Sequence, residues 1–235
     1  VVTIPRSDIA DILLEEKRWL IHGAKYWIRS GVISTVAVDT ELAAYLLNPG
    51  SRDIELIDVL RKYCGVEVSS GVGDLFSEEW TPEAAGHLQN LWRVLAQELE
   101  KHNARKLYQE LEIPAMEILS IMEKVGIGVD AQELTSLKSL LRVREVSKLR
   151  TTVEGLLNSI SSDNRIHTTF QQTTTATGRL SSIEPNLQNI PIRTSEGRRI
   201  RNCFVAQEPY LDLLTADYSQ IEMRIMAHLS DDHEL

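Results

Sequence analysis

Asp217 stands where the apolar run YLDLL gives way to a helical pattern, in the stretch TADYSQIEMRIMAHLSDD at residues 215–232. The density of apolar residues in YLDLLTAD predicts a buried strand, and a carboxylate at a strand end is where open sheets carry functional groups. Ser219, with Glu222 three residues on, has the spacing of a capping box, which predicts a helix beginning at Gln220. On that helix Ile221, Ile225 and Leu229 share one face, and Gln220, Arg224 and His228 a neighbouring one. The local pattern also allows a plainer reading, with Asp217 in a turn contact and Glu222 only a cap.

The preceding segment, TTTATGRLSSIEPNLQNIPIRTSEGRRIRNCF, has neither a helical nor an alternating core pattern. It is dense in Thr, Arg, Ser, Asn and Gln, the side chains that hydrogen-bond phosphates and base edges. Between residues 164 and 204 six arginines stand against two acids, a local charge of +4 in a chain whose formal net charge is −9. The whole chain is therefore no basic nucleic-acid coat, but this segment beside a strand-end carboxylate suggests a nucleic-acid site with a metal ion. Taken alone, the segment suits a solvated loop equally well.

TATGRLSS, PNLQNIP, EGRRIR and DYSQIEMRIMAHLS resemble, in order, the consecutive motifs of family A DNA polymerases, the bacterial polymerase I group. The resemblance implies a DNA-directed DNA polymerase in replication and repair, adding deoxynucleotides to a primer 3′ end by two-metal phosphoryl transfer. By it Asp217 is the catalytic residue, one of two palm aspartates that hold Mg²⁺, with the Tyr218 carbonyl as a further ligand. Glu222 is similar to the family's steric gate against ribonucleotides. Ser219, Gln220 and Ile221 would line the floor of the incoming-nucleotide site, supported by Arg224.

Arg179 resembles the arginine that reaches the minor groove at the primer terminus, where acceptors occupy similar positions in every correct base pair. Asn186, Gln188 and Arg193 would make comparable groove or backbone contacts, and Thr177 and Ser181 would bond phosphates. The implied partners are primer-template DNA and deoxynucleoside triphosphates, the cofactor Mg²⁺, the state a monomer, and the place a bacterial cytoplasm close to the nucleoid, without a membrane. The competing class is a non-catalytic DNA-binding or interaction protein that reuses the scaffold.

These residues need a scaffold, and the first two thirds of the chain supply a mostly helical one. The pattern is helical from Ser7 to Tyr26. STVAVDTELAAYLL then gives a short β-branched run and an apolar helix ended by Asn48, Pro49 and Gly50. DIELIDVLRKYCG predicts a helix closed by Gly65. After the loop SSGVGDLFSEEW, one long amphipathic helix is expected from Thr81, with Pro82 at its first position, to about Asn103. LYQELEIPAMEILSIMEKVG predicts another, with Leu107, Leu111, Ile113, Ile118, Ile121 and Met122 on its apolar face and Pro114 bending it. VGIGVD follows as a turn or strand, and AQELTSLKSLLRVREVSKLRTTVEGLLNSI as one or two helices with a basic face.

Asp39 and Glu41 in VAVDTE have the Asp-x-Glu form of a proofreading metal site, but the continuation resembles a later part of the polymerase I exonuclease domain. In that placement Trp27 follows Lys-Tyr where an active exonuclease has an aspartate, and Trp80 and Ala84 replace a catalytic tyrosine and a second aspartate. Neither tryptophan nor alanine ligates Mg²⁺, so proofreading is expected to be absent; an active 3′→5′ exonuclease is the reading this displaces. In the thumb, Leu137 runs into Leu140 where the family has a long tip. Lys138, Arg142, Arg144, Lys148 and Arg150 are candidates for duplex binding, or a solvated helix face.

The expected fold class is mixed α+β: a degenerate ribonuclease H-like 3′-5′ exonuclease domain over residues 1–106, a helical thumb over 107–163, and a partial polymerase palm over 164–235. Cys64 and Cys203 are far apart and form no CxxC or metal spacing, which fits a reducing compartment. No apolar run reaches the length of a membrane span, and the charged N-terminus does not suit a signal peptide. The missing initiator Met and the stop at HEL suggest cuts in a longer protein, with the fingers and second palm aspartate lying beyond Leu235.

Overall fold

The computed structural model describes residues 19–51, 53–68, 82–140 and 147–231. Residues 7–18 of the helix expected over 7–26, the loop before Thr81 with Trp80, Arg142, Arg144 and the side chain of Lys148 lie outside the described residues.

In the N-terminal part, β1 (Leu20–Ile21) pairs in parallel with β2 (Val38–Asp39), and α1 (Ala24–Arg29) connects them. Residues 20 and 21 are thus strand, where the sequence pattern predicts helix. α2 (Thr40–Leu47) and α3 (Leu56–Cys64) follow, the latter ended by Gly65 in the left-handed region at φ 62°, as a helix-stopping glycine should be. The single helix expected after Thr81 is two, α4 (Pro82–Gly86) and α5 (Leu88–Lys101), broken at His87. Gly86 is a poor helix former, and the break lets α5 turn Leu91, Leu95 and Leu99 fully into the core.

α6 (Arg105–Leu107) runs through a π-helical turn, Tyr108–Glu112, into α7 (Ile113–Val125). Pro114 falls directly after the π turn, inside a helical run that is continuous from Arg105 to Val125, and lacks the N–H that would bond back to the preceding turn. The buried face of this stretch is Tyr108, Ile113, Met116, Leu119, Ser120 and Glu123. Leu107, Leu111, Ile118, Ile121 and Met122 are exposed, so the expected apolar face is on the wrong side apart from Ile113. The π turn adds a residue to the repeat and rotates the later side chains.

One hydrophobic core runs from Ala24 to Met116 and includes Tyr108. A second contains Val129, Leu134, Leu137, Val153, Leu156, Ile166, Ile190, Ile200 and Cys203. It is built by β3 (Ile127–Gly128), α8 (Ala131–Leu140), α9 (Ser147–Asn158), β4 (Arg165–Ile166) and α10 (Ser195–Asn202). β3 pairs antiparallel with β4, and β5 (Thr169–Gln171) with β6 (Ser181–Ile183). Gly126, at φ 66°, opens β3; a Cβ there would lie 2.6 Å from the His167 ring and 2.9 Å from the Ile166 carbonyl. α10 falls in the segment whose sequence shows no helical pattern. It buries only Gly197 and Ile200, and its start is marked by Thr194, whose hydroxyl accepts from Gly197 N at 3.0 Å.

Candidate nucleic-acid interface

The β5–β6 hairpin carries the first group of candidate residues. Gln171 pairs with Ser181, and the Ser181 hydroxyl donates to the Gln171 side-chain carbonyl at 3.2 Å. Between the strands the Thr175 hydroxyl donates to the Arg179 carbonyl at 2.6 Å, closing a tight loop through Thr177 and Gly178. Gly178 has φ 76°, a conformation costly for other residues. The loop thus presents Thr177 and Arg179 to solvent.

Beyond β6, Asn186 accepts from the backbone of Gln188 and Asn189 at 3.0 and 3.1 Å, and the Gln188 amide donates to the Leu180 carbonyl at 3.2 Å. Both side chains shape the turn beside the Arg179 loop. Under them lies a buried pair the sequence did not single out, Thr168 and Ser182, with hydroxyls 2.8 Å apart. Ser182 accepts from Leu187 N at 3.0 Å and Thr168 donates to the Pro185 carbonyl at 2.8 Å, fixing the 182–187 turn. Only the inward-facing second serine of the SS doublet could have hinted at this. Arg193 is exposed, Arg201 donates to the Ile190 carbonyl at 3.1 Å, and Arg199 lies 3.5 Å from Glu133.

The second group is on the C-terminal segment. Residues 211–218 form no strand, and Leu211 and Leu214 are 91% and 94% exposed, contrary to the expected buried strand ending at Asp217. A strand exists only with a ladder partner, and no described segment lies alongside to hydrogen-bond it. Asp217, Tyr218, Ser219 and Gln220 are exposed, as is α11 (Ile221–Ser230), apart from half-covered Ala227. The expected capping box does not form: Gln220 is the N-cap in the left-handed region at φ 51°, without a side-chain cap bond. Arg224 closes this end instead, its Nε donating to the Ser219 carbonyl at 3.0 Å.

The two groups meet. Arg179 Nη2 lies 3.9 Å from Glu222 Oε1, with both side chains more than 70% exposed. Among the described residues no three His, Cys, Asp or Glu side chains group closely enough to hold a metal ion. The Asp217 carboxylate and Tyr218 carbonyl are nevertheless hard oxygen donors of the kind Mg²⁺ takes, one or two from protein and the rest from water and phosphate. The basic residues Lys138 and Arg150 both pair with Glu154, at 3.4 and 3.1 Å.

Asp39 has a different occupation. Its carboxylate is buried and accepts from the backbone N–H groups of Gly23, Ala24, Glu41 and Leu42, at 3.2, 2.7, 2.8 and 3.4 Å. It caps the starts of α1 and α2 together. Tyr108 Oη accepts from Asp39 N at 2.8 Å. Trp27 packs against the first core and Ala84 is fully buried. Beside this network a cleft of about 410 Å³ is lined by Lys25, Arg29, Glu41, Glu123, Phe170 and Thr173. Burial, then the Asp39 charge, push the Glu41 carboxyl up to about 7.

Comparison with known proteins bears on these residues. The profile of DNA polymerase family A matches residues 85–235. DNA polymerase I of Mycobacterium bovis is 35% identical over 307 positions, covering 94% of this chain and 34% of that protein. DNA polymerase I of Bacillus subtilis is 30% identical over 308 positions, covering 94% and 35%. The chain therefore spans about a third of the length of these curated relatives. Because 94% of 235 residues is about 221, some 86 of the 307 positions have no counterpart here. A solved structure, the POL domain of Pol1 from M. smegmatis in complex with DNA primer-template and dNTP, superposes with a TM-score of 0.84 at 34% identity, over 98% of this chain and 54% of that one. With its matched span reaching from α4 to the C-terminal helix, the chain belongs to DNA polymerase family A.

Proposed function

We propose that these residues form the exonuclease-like domain, thumb and first part of the palm of a polymerase I-type DNA-directed DNA polymerase. The observation that carries this reading is the approach of Arg179 to Glu222, which brings the TATGRLSS loop onto the helix after Asp217. A mixed helix-and-strand scaffold superposing on a polymerase domain supports it.

In this reading Arg179 donates to the minor-groove acceptors of the primer-terminal pair, sensing shape without choosing sequence. Thr177, Ser181 and Arg193 hold the backbone, and Asn186 and Gln188 keep their turn in register beside them. Ser219, Gln220 and Ile221 floor the nucleotide site, and Arg224 fixes that floor through its bond to the Ser219 carbonyl. Glu222 crowds the 2′ position of the sugar. Asp217 and the Tyr218 carbonyl would hold Mg²⁺, which when bound stabilises charge on the transferring phosphate. The exposed α11 surface and residues 211–218 leave these groups open to duplex and nucleotide.

The N-terminal part, to about residue 106, is proposed as a ribonuclease H-like exonuclease scaffold without proofreading. The four amides on Asp39 and the packing of Trp27 and Ala84 into the core support a purely structural role. The thumb is proposed to be short, its tip missing near residues 137–140 on α8.

Primer extension tests the reading. In the full polypeptide that carries these residues, Asp217→Ala is expected to abolish nucleotide incorporation while primer-template affinity stays within about twofold. Full retained extension would remove Asp217 from the chemistry, whereas an unaltered polypeptide that binds primer-template and extends nothing would be a non-catalytic DNA-binding protein.

A further inference from the structure

One face of the N-terminal part is bonded along the strand that leads into the Arg179 loop. The Lys25 ammonium donates to the Phe170 carbonyl, and Arg29 Nη1 to the Thr169 hydroxyl at 3.1 Å. Buried Glu123 on α7 accepts from Phe170 N at 2.7 Å and lies 2.5 Å from Lys25. Further along, the Thr173 hydroxyl donates to Glu41 at 3.2 Å, and the Tyr45 hydroxyl to the Thr175 carbonyl at 2.6 Å. A Cβ on Gly50 would lie only 3.0 Å from that of Ala176. Thr175 is also the residue whose hydroxyl holds the Arg179 carbonyl.

We infer that the exonuclease-like domain acts as a positioning strut for the primer-contact loop, with Tyr45 as its last positioning residue and Thr175 as the relay to Arg179. Two hydrogen bonds in series connect the buried α2 helix to the backbone of Arg179. Tyr45 is buried while the loop it holds is exposed, so the rigid end of the relay lies in the first hydrophobic core. Exposed loops otherwise sample many conformations, and holding one in its bound geometry lowers the entropy lost on binding. This gives a domain without proofreading chemistry a role in DNA binding. The inference rests on the proposed contact of Arg179 with primer-template DNA.

The test uses the 235-residue chain and a fluorescein-labelled primer-template duplex. Tyr45→Phe removes one hydroxyl from a site that keeps its shape, and Thr175→Val removes the relay hydroxyl while keeping the carbonyl. Each is expected to speed amide hydrogen exchange at residues 173–180 about fivefold or more, roughly the loss of one hydrogen bond. Each is also expected to weaken duplex binding about fivefold when Arg179 is present and to change nothing in the Arg179→Ala background, because the relay acts through that side chain. Unchanged exchange at 173–180, or an equal loss of affinity in both backgrounds, overturns the positioning role. The underlying reading fails separately: an Arg179→Ala chain that binds duplex as tightly as the unaltered chain removes Arg179 from the interface, whatever the loop exchange shows.

Discussion

The guanidinium of Arg179 lies 3.9 Å from the carboxylate of Glu222, joining a hairpin loop to the helix that follows Asp217. Both groups are largely in water, where such a pair contributes about 0–1 kcal/mol and is screened by salt. Neither is immobilised by the other, and both remain free to engage a ligand. Glu222→Ala is therefore expected to leave the unfolding midpoint of the chain almost unchanged, while loosening discrimination against ribonucleotides in the full polypeptide. Urea titration and competitive incorporation of ribo- and deoxynucleotides measure the two effects.

Arg179→Ala should weaken primer-template binding about tenfold, in the range of 1–3 kcal/mol for a groove-reading arginine. Arg179→Lys should not restore it, because an ammonium lacks the planar fork of donors. Fluorescence anisotropy at fixed salt reads both variants, and a lysine variant with full affinity would reduce the role of Arg179 to charge alone.

Glu123 has a side chain only 1% exposed and faces Lys25 at 2.5 Å and Arg29 at 3.5 Å. Removing it leaves the Phe170 amide without its acceptor and takes the counter-charge from Lys25 and Arg29, which are 20% and 38% exposed and keep their bonds to the Phe170 carbonyl and Thr169 hydroxyl. Glu123→Ala is therefore expected to cost about 1–3 kcal/mol of stability. Chemical denaturation gives the value. A loss below about 1 kcal/mol would mean that water reaches and satisfies the cations.

Glu41 titrates near neutrality because burial and the Asp39 charge disfavour its ionised form, raising it from 4.5 to about 7. A carboxyl raised on folding keeps its proton longer in the native state, so its contribution to stability is complete below about pH 4.5 and is lost as pH rises through about 7. Glu41→Gln keeps an acceptor for Thr173 but cannot ionise. Thermal melts should show the variant losing the decline attributable to this group between pH 4.5 and 7, and gaining a few °C over the unaltered chain at pH 8.

Much of the scaffold is legible locally. The α3 helix, its stop at Gly65 and the β-branched run into α2 are encoded by side-chain period and backbone preference within a few residues. Asp39 shows the limit. In the sequence it has the form of a metal-site acid, and only its position between two helix starts reveals it as a double cap. The site residues are likewise named by motif, but the Tyr45–Thr175–Arg179 relay is invisible in sequence because its members belong to elements far apart in the chain.

The sequence by itself determined family membership, the helical punctuation and the residues that could do chemistry, since those depend on residue type and short spacing. Tertiary structure decided which apolar faces are covered. It turned α7 so that Met116 and Glu123 are buried and Ile118 and Ile121 are not, and it left residues 211–218 without a ladder. Burial and strand pairing are properties of a partner surface, and a partner distant in the chain leaves no periodic mark on the segment it covers.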